Sequence, residues 1–169
     1  MRIAKIINTF LVIAILFIVT ACPKPPPDDD KAYISSLEDG WDYFVKYEYD
    51  NAYNSFDEAL DIKSSGVEAN VGLGWSSIML DDDQSIEAVG YLEKGIDDEE
   101  WKKISYAGLA IYYFYFENYA KSSKSIDSVL TAPDSLFEFS KNPEIDHKDL
   151  RLLKAKIQYI DAEYTSCFR

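Results

Sequence analysis

Basic charge is scarce in this chain. Seventeen Lys and Arg stand against 30 Asp and Glu over 169 residues, for a net charge of −13 at pH 7. Phosphate backbones would be repelled by that balance, so nucleic acid is excluded as a partner, and anionic headgroups would not hold the globular part. Histidine occurs once, at His147 beside Lys148 and Asp149, where a solvated or capping role is the default. There is no G-x-S-x-G elbow, phosphate-binding loop, H-E-x-x-H or C-x-x-C spacing. Carboxylates are abundant but form no convergent pair in the sequence, so solvated faces explain them better than glycosidase chemistry does. The Asp28, Asp29, Asp30 run lacks the spaced ligands that calcium needs. The Asp81, Asp82, Asp83 run puts Ile86 and Leu92 where a calcium loop requires Gly and Glu. The expectation is a non-enzyme with no metal and no cofactor. Period-two alternation with turn signals is also missing, which excludes a sheet protein and leaves an all-α chain.

The N-terminus is organised differently from the rest. Arg2 and Lys5 precede ten consecutive apolar residues, 10–19, and the small pair Thr20 and Ala21 leads to Cys22. A positive start, a short apolar centre and a small-residue cleavage site make a secretory signal over residues 1–21, and the run is short for a membrane span. Val19-Thr20-Ala21-Cys22 resembles the lipobox of bacterial lipoproteins; an ordinary signal with a chance cysteine is the alternative. The resemblance implies that Cys22 becomes the first mature residue and carries a diacylglycerol and an N-acyl chain, palmitate among such chains, anchoring the protein without a spanning helix. The chain from Cys22 onward then carries −15, with 15 basic against 30 acidic residues. Cys167, the second of the two cysteines, is left without an intrachain partner, so the fold must stand on its apolar core; burial against the last helix is the expectation for it, with a thiol available to another molecule as the alternative. Residues 22–31, with four prolines and three consecutive aspartates, read as an extended tether, whose nine residues after Cys22 reach about 28 Å.

From residue 32 the chain reads as seven helical segments. Asp50, Ser65 with Glu68, Asp83 and Asp97 are candidate caps for the second to fifth, Glu117 and Asn118 break an aromatic helix, Pro133 and Asp134 mark a turn, and Asp146 opens a last helix from His147 to about Tyr164. Within this pattern two Gly-Trp pairs, Gly40-Trp41 and Gly74-Trp75, stand 34 residues apart. A small residue recurs at Gly40, Gly74 and Ala110, a second small one at Ala52, Ala88 and Ser122, and a large apolar one at Phe56, Leu92 and Ile126. This order, with Tyr43, Ala59, Leu73, Gly95, Leu109, Tyr113 and Val129 in register, resembles the tetratricopeptide repeat, with a generic helical bundle as the alternative. Ser36 and Asp39 replace the usual Trp and Leu, and the closing Pro is absent from the first two units. The resemblance implies a right-handed superhelix of about three helix-turn-helix repeats over residues 32–132, divided near 32–65, 66–98 and 99–132. Residues 133–169 would supply a connecting turn and a C-terminal capping helix, with Leu150, Leu153, Ile157 and Ile160 on its inner stripe.

In that family the residue after the small position looks into a concave groove. By register the groove holds Trp41 and Phe44, then Trp75, Ile78 and Met79, then Phe114 and Tyr115, with Leu37, Val45, Val71, Ala107 and Ile111 beside them. So apolar a face requires a cover. Either it holds an envelope protein or peptide, making the chain a lipid-anchored scaffold, or its own C-terminal helix or a second subunit fills it and the protein is structural. The anchor implied by the lipobox resemblance places the protein in the cell envelope; by the sorting rule of enteric bacteria, Pro23 rather than Asp after Cys22 favours the outer membrane, facing the periplasm, with the cell surface of a single-membrane bacterium as the alternative.

Overall fold

The computed structural model describes residues 28–80, 86–131, 135–142 and 144–167, the last four of these by backbone alone. The signal segment, Cys22 with the residues up to 27, Asp81 to Asp83, Pro133 with Asp134, and the side chain of Cys167 lie outside the described residues.

Seven helices account for the described chain: α1 Asp29–Val45, α2 Tyr49–Ile62, α3 Val67–Leu80, α4 Ala88–Glu93, α5 Lys102–Tyr115, α6 Tyr119–Val129 and α7 His147–Cys167. The protein is all-α. Among the described residues the one β contact is an isolated bridge between Glu138 and Asp146. Each helix packs on the next in sequence, and α1, α3, α5 and α7 also touch in series, whereas α2, α4 and α6 touch only their two chain neighbours. The result is two layers, with the odd-numbered helices forming a continuous row. Burial follows this placement. In α1 it falls on Leu37, Gly40, Trp41 and Phe44, one helical stripe. In the central α3 every residue from Ala69 to Ser77 is buried, because neighbours cover it on several sides.

The small and large positions read from the sequence interlock. Gly40, Gly74 and Ala110, and Ala52, Ala88 and Ser122, are all buried, as are Phe56, Leu92 and Ile126. A Cβ on Gly40 would lie 2.6 Å from the Phe56 ring, and one on Gly72 would lie 2.5 Å from the same ring. Leu92 is held in the same way, 2.6 Å from a Cβ on Gly74 and 2.9 Å from one on Gly108. The large residues of α2 and α4 therefore each enter a slot between two odd helices, and these slots are open only because both walls are glycine.

Several caps differ from expectation. The Asp run is no tether: Asp29 and Asp30 form the first turn of α1, where carboxylates favour the positive helix end, and Asp28 precedes them and pairs with Lys31 at 3.2 Å. Helix α2 begins at Tyr49, one residue before Asp50, and its flanking Glu48 makes no side-chain cap. Glu68 does not close a box with Ser65; it bonds elsewhere, as described below. Asp98 rather than Asp97 organises the entry to α5, accepting the N–H groups of Glu100 and Trp101 at 2.9 and 3.2 Å. At α7 the caps are reciprocal. Asp146 accepts the Lys148 N–H at 2.6 Å while Asp149 accepts the Asp146 N–H at 2.9 Å. The Lys148 N–H holds the Asp146 carboxyl below its ordinary pKa, so this stabilisation exists above that value and is lost as pH falls through the lowered one.

The turns ending α1 and α5 are the same turn. Glu48 N–H bonds Tyr43 carbonyl and Tyr47 N–H bonds Phe44 carbonyl; 70 residues on, Asn118 N–H bonds Tyr113 carbonyl and Glu117 N–H bonds Phe114 carbonyl. This Schellman geometry needs a left-handed residue, which is Tyr47 (φ 63°) in one and Glu117 (φ 56°) in the other. Glycine carries no penalty there. Glu117→Gly is expected to raise stability by about 0.5–1 kcal/mol, read as an increase in the urea midpoint at unchanged m-value.

Tyrosines set the alkaline limit. Tyr91 is pushed well above the ordinary phenol range, first by its hydroxyl contact with Tyr53 and then by burial. Tyr47 and Tyr159 are raised by donating to Glu144 and Glu163, and Tyr33, Tyr49 and Tyr112 by partial burial. The folded chain holds these protons more tightly than the unfolded chain, whose phenols titrate near pH 10. Stability is therefore full below pH 10 and falls as pH rises through the folded values. Urea midpoints taken from pH 8 to 11 should be flat at first and then decline above 10, and Tyr91→Phe should soften the decline.

Candidate binding site

The indoles at the two Gly-Trp pairs are inside the protein. Trp41 is 5 % exposed, and Phe44 and Trp75 are fully buried. They surround Phe139, whose ring centroid lies 4.8 Å from Trp75, 5.6 Å from Trp41 and 6.2 Å from Phe44. The open groove expected over these three residues is thus occupied, and the cover is not the C-terminal helix. Helix α7 packs on α5 and α6, burying Leu150 and Ile157, with Lys154 paired to Asp127. The cover is the connector before α7. Phe139 N–H bonds Ile145 carbonyl at 3.0 Å, His147 N–H bonds Phe137 carbonyl at 2.8 Å, and Tyr47 hydroxyl donates to Glu144 at 2.6 Å, tying this strap to α1 and α7. The histidine belongs to it too, with Nδ1 3.3 Å from Phe137 carbonyl. Of the remaining groove residues, Ile78 and Met79 are half-buried, Phe114 packs on Tyr119, and Tyr115 stands 62 % exposed against Phe116.

What stays open is a groove of about 560 Å³ along α1, between its inner stripe and residues 140 and 141. Ile34, Leu37, Trp41 and Val45 form the floor, at intervals of three and four residues; Glu38 and Asp42 stand beside them, and Glu68, Ser140 and Lys141 form the far wall. That wall is tied down by charge. One oxygen of Glu68 accepts Trp41 Nε1 at 2.8 Å and meets Lys141 Nζ at 3.1 Å. The ammonium also lies 5.8 Å from the Trp41 ring centre and 6.0 Å from that of Trp101, and the two indoles stack 5.9 Å apart with planes 2° from parallel. Each cation-π contact contributes about 0.5–1 kcal/mol at such a partly exposed site.

Trp101, Phe139, Glu68 and Lys141 were not apparent from sequence. Phe137 and Phe139 alternate with exposed Leu136, Glu138 and Ser140, a period-two signal only five residues long. A second cavity, about 440 Å³, lies by Asn70 on α3, Gly90 and Tyr91 on α4, and Glu87 and Lys94 at its two ends. Among the described residues no group of three or more His, Cys, Asp or Glu could hold a metal ion, and no helix is long and apolar enough to cross a membrane. No known protein family matches the chain, and neither does any characterised protein or solved structure.

Proposed function

We propose that this protein is a non-catalytic scaffold of the bacterial cell envelope, anchored by acylated Cys22 and holding an envelope protein or peptide along α1. The open α1 groove carries the reading, because the described residues leave its apolar floor without a cover. The anchor rests on the order Val19, Thr20, Ala21, Cys22. A right-handed superhelix of three tetratricopeptide-like units is supported by the glycine-walled slots around Phe56 and Leu92 and by the turn repeated 70 residues apart. Burial of Trp75 and Phe44 beneath Phe139 favours a second, structural reading for that part of the inner face, which narrows the docking surface to α1. Pro23 after Cys22 supports placement on the periplasmic side of the outer membrane if the host sorts lipoproteins by the enteric rule.

Two measurements test this. Cys22→Ala should abolish labelling by an alkyne palmitate analogue and move the protein out of the membrane fraction; retained labelling removes the anchor. A photocrosslinking residue at Val45 should capture an envelope protein in cells while one at exposed Asp57 on α2 does not. Equal capture, or none, removes the scaffold.

A further inference from the structure

We propose that the α1 groove takes a basic amphipathic segment of its partner; this rests on the scaffold reading and adds the chemistry of what is held. Ile34 and Val45, 52 % and 49 % exposed, mark the ends of the apolar floor. Their separation along a helix is about 16 Å, three turns of an incoming helix. Glu38 and Asp42 run beside the floor at i, i+4 spacing, both exposed, and neither forms an ion pair among the described residues. Three cations among the described residues, two on α1 or just after it and one on the groove wall, are already engaged. Lys141 pairs with Glu68 and covers the two indoles, Lys31 pairs with Asp28, and Lys46 lies 5.9 Å from the Tyr43 ring centre. The groove therefore offers an apolar stripe edged by uncompensated negative charge. An acidic segment would meet like charges, and a purely apolar one would strip water from two carboxylates without replacing their hydrogen bonds. Lysine or arginine on the polar edge of an amphipathic segment satisfies both while its apolar face covers Ile34 and Val45. A second copy of this chain is a poor occupant, since from Cys22 onward it would bring 15 basic against 30 acidic residues, a net charge of −15, to the same acids.

The test uses the full chain in phosphatidylcholine nanodiscs, with empty discs as the blank. Two fluorescent helical peptides carry leucine on one face and either lysine or glutamate on the other. The lysine peptide should bind at least about tenfold more tightly, and Glu38→Lys with Asp42→Lys should reverse the preference. Reversing Asp57 and Glu58 on α2 should change binding less than about twofold. If the α2 reversal weakens binding as much as the α1 reversal, the attraction is general charge and the inference is overturned. Ile34→Ser with Val45→Ser, at exposed positions that leave folding intact by circular dichroism, should cost about tenfold for the lysine peptide. Sensitivity to this pair without sensitivity to the acids keeps the scaffold and overturns the basic partner. Insensitivity to it removes the groove and the scaffold reading together. A dimer in sedimentation that Ile34→Ser dissolves would assign the groove to a second copy and likewise overturn the inference.

Discussion

Phe139→Ala is expected to lower folding stability by about 3–5 kcal/mol and to shift tryptophan emission to longer wavelength. Phe139 is fully buried, and its neighbours come from two helices distant in sequence: Trp41 and Phe44 on α1 and Trp75 on α3. Removing the ring empties the space at the centre of an aromatic cup whose members are fixed from behind, Trp41 by Phe56 at 4.8 Å and Trp101 at 5.9 Å, Phe44 by Tyr49 at 5.3 Å. Such a site collapses poorly, and the cavity term adds to the lost transfer energy. Domains of this size have a total stability of about 5–15 kcal/mol, so the variant loses a large share of it. Leu136→Ala, three residues earlier and 73 % exposed, should change stability by less than about 0.5 kcal/mol. Chemical denaturation followed by tryptophan fluorescence reads both quantities at once. Equal stability for the two variants would mean that the strap does not seal the cup.

The sequence was most legible where one helix meets the next, and least legible where a loop meets three helices. The 34- and 36-residue spacing that connects Gly40 with Gly74 and Phe56 with Leu92 is a local, periodic signal, because each repeated contact uses the same helix positions. Gly72 and Gly108 fill the matching role one turn-edge away, yet they begin only with the second unit, since a slot needs a preceding large residue to receive. Register placed Trp41 and Trp75 on the inner face but could not say what lies across from them. That depended on Phe139, some 64 residues after Trp75, in a segment whose period-two alternation is only five residues long. Glu68 illustrates the same limit in the opposite direction: its spacing from Ser65 suggested a local cap, but a tryptophan 27 residues earlier and a lysine from the strap claim its carboxylate. Tertiary contacts override local preference where the partners are charged or aromatic and half-buried, and those are the residues that shape the α1 groove.

Gly72→Ala is expected to cost about 2 kcal/mol, although alanine is the better helix former by about 1 kcal/mol. The new Cβ would stand 2.5 Å from the Phe56 ring, far inside contact distance. A flexible side chain could swing away, but this ring has no free side: its other face is 2.6 Å from the position a Cβ on Gly40 would take, and Trp41 packs against it. Relief requires α1 and α3 to separate, which loosens the odd-numbered row on which the groove is built. Two further variants separate this account from a general intolerance of substitution. Gly90→Ala on α4, where an added Cβ meets nothing within 4 Å, should stabilise by about 0.5–1 kcal/mol through helix propensity alone. Phe56→Leu should be harmful in the parent but partly restore Gly72→Ala, giving a coupling energy of at least about 1 kcal/mol in a double-mutant cycle. Additive effects of Phe56→Leu and Gly72→Ala would show that the ring does not sit between the two glycines. The recurring small residues would then reflect local helix geometry rather than the spacing of the layers, and the interlocked row would lose its physical basis.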